Sequence, residues 1–211
     1  SNSFEFIKKL ENELSDFENI RLKKNFSIIG IHDHSYLIGS ENMEQMERNN
    51  QSSIRQRLWR IRAKHVILAT GAIERPLVFA GNDIPGVMLC SAALEFYKLY
   101  GVSPGDRVVV LTNNDSAYSS VIELFNAGIS VPLVIDVREK SDGNLPLKAK
   151  KLGIRVEFSK AISKVIGKKK VKAVELCSVV GEGAVLETII CDSVLMSGGW
   201  TSTLNLWSHC G

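Results

Sequence analysis

No two cysteines in this chain stand close enough to form a metal ribbon or a redox dithiol. Cys90, Cys177, Cys191 and Cys210 are widely spaced, and no CxxC occurs. Free thiols in a reducing compartment are the simplest reading, so the chain is expected to be cytoplasmic. A strong charge of one sign is missing too: 26 Lys and Arg stand against 23 Asp and Glu, a net +3. That balance gives no electrostatic footprint for nucleic acid, and no nucleic-acid partner is expected. The one basic run, GKKKVK at 167–172, lies between apolar segments and reads as a solvated hairpin turn. No apolar run approaches the ~20 residues needed to span a bilayer. No signal peptide is recognisable, so no membrane partner is expected. What remains is an ordinary globular composition, 45% hydrophobic and 23% charged over 211 residues, enough for one domain or two small ones.

Periodicity divides the chain. In FEFIKKLENELSDF (4–17) the apolar residues Phe4, Ile7, Leu10, Leu14 and Phe17 recur at spacings of three and four, which predicts an amphipathic helix. NIRLKKN (19–25) reads as a short strand, and FSIIGIHDHSYLIGSE (26–41) as one or two strands. Residues 42–53 are polar and read as a loop. Residues 55–72 read as a strand, a short turn and a buried strand HVILA ending in TGA. The stretch 74–90 carries Pro76, Gly81, Pro85 and Gly86 and reads as an irregular connector, followed by a helix over 91–101. From residue 107 the pattern changes to strand (107–111), helix (116–127), Gly128 and strand (131–136), a β-α-β unit of about thirty residues. A helix over 144–152, a strand IRVEFSKAI (154–162), antiparallel strands and a buried strand SVLMS (193–197) complete it. HVILATGA (65–72) and SVLMSGGW (193–200) echo each other, both apolar strands ending in a small-residue turn.

Glycine is scarce in one place where a nucleotide-binding protein would need it. In a dinucleotide-binding turn the pyrophosphate rests on a helix N-terminus, and three glycines permit the tight turn, the approach of the phosphate and close helix–strand packing. Here the turn between strand 107–111 and helix 116–127 reads TNNDSAY, with Thr112, Asn114 and Ala117 at the glycine positions. Ala is accepted at the third position, and Asn tolerates a left-handed backbone. Asp115 and Ser116 are good N-cap residues. Asp136 ends the next strand, about twenty residues on, where a carboxylate accepts hydrogen bonds from an adenosine ribose. Asx caps precede most helices, so spacing alone leaves an ordinary helix start equally open.

Two smaller signals remain. HDH puts His32 and His34 on one face of a strand, but no third metal ligand is evident, so no metal is assigned. Trp200 follows the glycine pair Gly198–Gly199; it either stacks on a nicotinamide or plugs the core, and the core role is favoured. No nucleophile stands beside a base, and no catalytic residue is assigned.

HVILATGA, the β-α-β unit and CDSVLMSGG together resemble flavoproteins with two dinucleotide-binding domains, such as thioredoxin reductase, in which an NAD(P) domain is inserted into an FAD domain. More narrowly, ATGAIERPLVFAGNDIPGVMLCSAA (69–93), NDSAY (114–118), DVRE (136–139) and SGGWTSTLNLWS (197–208) are similar to the alpha subunit of heterotetrameric sarcosine oxidase. The resemblance implies NAD bound here, with Asn113, Asn114, Asp115, Ser116, Ala117 and Tyr118 at the phosphates and Asp136 and Arg138 near the adenosine. Thr112, Gly198 and Gly199 complete the candidate site. It also implies partners, the other subunits of a heteromeric oxidase, and FAD only in a longer chain, because the usual FAD fingerprints fall outside these residues. Cys90 stands where thioredoxin reductase carries a redox pair, but alone, which disfavours dithiol chemistry.

The expected fold is α/β, a Rossmann-like parallel sheet with helices and an antiparallel β-meander, plus part of a second, FAD-type domain. The expected boundaries are a partial FAD-type domain at 1–80, a connector and helix at 81–101, an NAD-binding domain at 102–200 and a return to the FAD-type domain at 201–211. The expected function is the NAD-binding region of a flavin-dependent amine oxidoreductase. The alternative is a non-catalytic nucleotide-fold scaffold on which subunits assemble.

Overall fold

A computed structural model describes residues 3–43 and 55–210, with side chains from residue 5 to residue 209. From residue 44 onward the polar loop expected over 42–53 lies outside the described residues, as does the Cys210 side chain. The chain forms two compact units, Ser1–Gly71 with Thr203–Gly211, and Ala72–Ser202.

The first unit contains helix α1 (Ser3–Ser15) and strands β1 (Phe26–His32), β2 (Tyr36–Asn42) and β3 (Gln56–Arg62), paired antiparallel in that order. Glu41 on β2 carries a buried carboxylate, 2% exposed. Lys23 Nζ donates to it at 2.8 Å and Trp59 Nε1 at 2.7 Å, and these bonds hold the carboxyl below its ordinary range despite the opposing effect of burial. The expected strand at 19–25 is irregular, with Ile20 and Leu22 exposed; among the described residues it has no partner strand. The run HVILA is likewise outside any strand, and Ile67 is 90% exposed. An apolar run becomes a strand only when neighbours take its backbone N–H and C=O groups. His32 and His34 do not share a strand face: His32 ends β1, and His34 lies in the following turn with φ of 59°.

The second unit opens with β4 (Ala72–Glu74), β5 (Val87–Leu89) and α2 (Cys90–Tyr100). The expected connector at 74–90 therefore ends in a strand, because Val87 to Leu89 pair with residues 194–196. Next come β6 (Arg107–Thr112), α3 (Ser116–Asn126), β7 (Ser130–Asp136), α4 (Asn144–Lys151) and β8 (Val156–Phe158). Then follow β9 (Lys160–Gly167), β10 (Val171–Ser178), β11 (Val185–Ile190), β12 (Ser193–Ser197) and β13 (Trp200–Ser202). Five strands form a parallel sheet in the order β5-β12-β6-β7-β8; β9 to β11 form an antiparallel sheet; β13 pairs with β4.

The expected single strand IRVEFSKAI is two strands. Ser159, at φ 53°, breaks the run so that β8 joins the parallel sheet and β9 the antiparallel one.

The sequence of β6 shows why the unit has three layers. Val108 and Val110 point to one face and pack with Tyr118, Val121 and Leu124 of α3. Val109 and Leu111 point to the other and pack with Val165, Val174 and Leu176 of the antiparallel sheet. A strand covered on both faces must be apolar at every position rather than at alternate ones. Each such side chain contributes roughly 1.5–3 kcal/mol of burial.

Candidate functional site

In the parallel sheet the chain runs from β6 to β7 and β8 on one side, then returns as β12 on the other side of β6. Such a reversal leaves a crevice outside the carboxyl ends of the strands, where ligands of open α/β sheets bind. Three residues end these strands at one level: Thr112 is in register with Ser197 on one side and Asp136 on the other. All three are fully buried. The turn 113–115 and the start of α3 follow directly.

The turn closes without glycine and without a left-handed residue; none of Thr112 to Ser116 has positive φ. Side chains hold it instead. Asn114 N donates to Thr112 Oγ1 at 3.1 Å, and that hydroxyl donates back to Asn114 O at 3.0 Å. Asn114 Oδ1 accepts from Ser116 N at 3.1 Å, which makes Asn114 the residue that caps α3. The expected caps act otherwise. Asp115 has helical angles and makes no capping bond. The Ser116 hydroxyl donates to Asn114 Oδ1 at 2.5 Å. Asn114 Nδ2 reaches Ser197 Oγ at 3.0 Å and Ser197 O at 3.2 Å, tying the turn to the end of β12.

The opposite rim is the Gly198–Gly199 turn. Gly198 N donates to Arg75 O at 2.7 Å, and a Cβ on Gly198 would stand 2.8 Å from Pro76 O, so the backbones meet only because residue 198 is glycine. Trp200 follows. It is not a core plug: it is 50% exposed, and its Nε1 donates to Ser116 Oγ at 2.8 Å, joining the glycine-pair turn to the start of α3. The turn at the strand end leaves its indole too near the surface for the core role.

At the far end, Asp136 is fully buried and saturated. Its Oδ1 accepts from Arg138 N at 3.1 Å and Arg138 Nε at 3.0 Å; its Oδ2 accepts from Tyr118 OH at 2.8 Å and Arg138 Nη2 at 2.7 Å. Four bonds use the four acceptor positions of a carboxylate. Burial, then the bond to Asp136, pushes the Tyr118 hydroxyl well above its ordinary range. The bond to Asp136 also raises Arg138, with Asp115 adding to it. Arg138 Nη2 also donates to Asp115 Oδ1 at 2.7 Å, where Ser141 Oγ joins at 3.0 Å. Ala117 packs in the core beside Tyr118.

Of the residues named from the sequence, Thr112 to Ser116, Asp136, Arg138 and the glycine pair fall at the strand ends, while Ala117 and Tyr118 pack in the core; Ser141, Ser197 and Glu74 were missed. Glu74, 5% exposed, accepts from Ser91 N at 2.8 Å and Ser91 Oγ at 2.6 Å and so caps α2. It lies 17 residues from Ser91, and no local pattern reveals it. Beside it, Cys90 is 1% exposed, and burial, with Glu74 adding, pushes its thiol far up, the opposite of a reactive cysteine. Cys177 is also free and buried, and burial pushes the free Cys191 thiol up to about 12. Among the described residues no three His, Cys, Asp or Glu side chains gather as metal ligands, and no helix is long and apolar enough to cross a membrane.

Comparison with known proteins bears on what such a crevice serves. No protein-family model matches the chain. The sarcosine oxidase alpha subunit of Rhizobium meliloti (strain 1021) is 33% identical over 208 residues, 98% of this chain and 20% of that protein. The corresponding alpha subunit of Corynebacterium sp. (strain P-1) is 39% identical over 128 residues, 60% of this chain and 13% of that protein. The chain is similar to the Rhizobium alpha subunit over nearly its whole length and to the Corynebacterium one over 60% of it. It spans about a fifth of the length of the Rhizobium relative. An opine oxidase subunit of Agrobacterium tumefaciens (strain Ach5) is 36% identical over 74 residues, 35% of this chain and 15% of that protein.

Among solved structures, T. acidophilum thioredoxin reductase superposes with a TM-score of 0.67 at 19% identity, covering 98% of this chain and 62% of that one. L-proline dehydrogenase from P. horikoshii gives 0.54 at 22% identity, covering 97% and 34%. At these identities the likeness establishes the α/β fold and no more.

Proposed function

We propose that this chain is the NAD-binding region of a flavin-dependent amine oxidoreductase of the sarcosine oxidase alpha type, in which a larger complex carries out oxidative demethylation of sarcosine. The observation that carries the reading is the meeting of TNNDSAY, Asp136 and Ser197 at the crevice where the strand order reverses. The α3 N-terminus is directed there, and its dipole favours a phosphate. In this reading NAD lies with its phosphates near residues 113–118, opposite Gly198–Gly199, and its adenosine end near Arg138. The fit is partial. Asp136 has no acceptor position left for a ribose, so ribose hydroxyls meet Arg138 and Asp115 instead. The Ser116 amide must leave Asn114 Oδ1 before it can serve a phosphate. Binding is therefore weaker than at a glycine-rich turn.

NAD would supply hydride-transfer chemistry if it turned over. Amine oxidation belongs to flavin held in other subunits, and FAD to a longer chain. Partners are the other subunits of a heteromeric oxidase in the cytoplasm.

A second reading has its own support. The polar side chains of the turn bond to one another, which suits a scaffold that keeps the nucleotide fold for contacts between subunits. Calorimetric titration separates the two. NAD binding to this chain, with a dissociation constant in the micromolar to millimolar range, is the expected outcome. Absence of NAD binding both here and in the assembled oxidase selects the scaffold.

A further inference from the structure

The ribose end of the crevice contains two carboxylates around one guanidinium. Asp136 is 0% exposed, Arg138 29% and Asp115 39%. Arg138 Nη2 lies 2.7 Å from an oxygen of each acid. The charges of the cluster are −1, +1 and −1, a net −1, with Tyr118 and Ser141 neutral. Asp136 has all four of its acceptor positions filled from within the protein. Its charge is paired at contact with Arg138 and the side chain is fully buried, so a ligand does not meet it. The charge left over, on the accessible side, is that of Asp115. Glu139, Lys140 and Asp142 of the same loop reach solvent, which screens them.

We infer that Asp115 is the specificity-determining residue for the nucleotide's ribose, rejecting a 2′-phosphate, and that Asp136 only positions Arg138. This inference rests on the NAD reading above. It assigns the role that the end of the second strand usually plays to the residue at the start of the helix opposite. It also gives Arg138 a different part. An arginine at this place can welcome a 2′-phosphate, but one already shared by two carboxylates carries no surplus positive charge to offer.

The test is titration of the full chain with NAD and with NADP, read as the ratio of the two affinities. The unmodified chain prefers NAD. Asp115→Asn removes the uncompensated charge and lowers the preference by about tenfold, the size expected for one charge facing a phosphate dianion at a solvated distance. Arg138→Gln removes the cation between the two acids and raises the preference. Asp136→Asn, where it folds, leaves Arg138 shared with Asp115 alone and lowers the preference by less than Asp115→Asn does. Equal or stronger NADP binding by the unmodified chain overturns the inference, as does an unchanged ratio in Asp115→Asn. So does a ratio that collapses in Asp136→Asn alone. In these cases the NAD site itself still stands if NAD binds. Failure of both nucleotides to bind any of the four proteins, alone and in the assembled oxidase, removes the NAD reading and this inference together.

Discussion

In the unit of residues 72–202, strand β12 has a partner on each side and is buried along its whole length. In the unit of residues 1–71 and 203–211, the run HVILA at 65–69 has no strand partner among the described residues, and Ile67 is 90% exposed. Both are short apolar runs that lead into a small-residue turn. The difference teaches that hydrophobicity makes a segment a candidate for the core, while backbone pairing decides whether it becomes one. The same contrast holds for the buried carboxylates. Asp136 ends a strand inside a three-layer unit, and Glu41 lies in a single antiparallel sheet under Lys23 and Trp59.

The largest effect expected from breaking this comparison is in the second unit. Asp136→Ala leaves Arg138 and Tyr118 without their shared acceptor in a buried place, and removal of one partner from such a pair costs about 3–5 kcal/mol. Chemical denaturation should show the loss, with hydrogen exchange locating it in α3, β6 and β7.

A matched pair comes next. Leu195→Ala in β12 should cost roughly 2–5 kcal/mol, since it empties a position covered on both faces. Ile67→Ala, its counterpart in HVILA, should stay within about 0.5 kcal/mol in this chain. Equal costs at the two positions would contradict the contrast between the units.

How much of this was legible beforehand follows from the same distinction. RVVVL announced itself because a strand packed on both faces must be apolar throughout, and the helix after TNNDSAY because its apolar spacing matches α3. Nothing local announced the split at Ser159, where the partners of two different sheets decide the break. The crevice was legible as a place, since the turn, Asp136 and the glycine pair fall at strand ends. Its internal wiring was not. Asn114 reads as a glycine substitute but works as a cap, and Asp136 reads as an acceptor for a ribose yet is taken up by Arg138 and Tyr118. Those roles depend on which side chains meet across strands, and Ser197 lies 83 residues from Asn114.

The smallest expected effect is a pH dependence in the first unit. Glu41 has its carboxyl lowered from 4.5 in the folded state. A lowered folded value means that its stabilisation is present above the unfolded value and disappears as pH falls through the folded one. The β1–β3 sheet should therefore lose hydrogen-exchange protection as pH drops below 4.5, and Glu41→Gln should flatten that dependence. A variant that keeps the full dependence would assign it to another group.

The central claim is that the crevice between β6 and β12 receives NAD. Titration of the isotope-labelled chain with NAD, followed by amide and indole resonances, tests it most directly. The account predicts that signals of residues 113–118, Gly198, Gly199 and the Trp200 indole shift together and saturate with one affinity, while β1–β3 stay unmoved. Saturable NAD binding that leaves those resonances in place would contradict it.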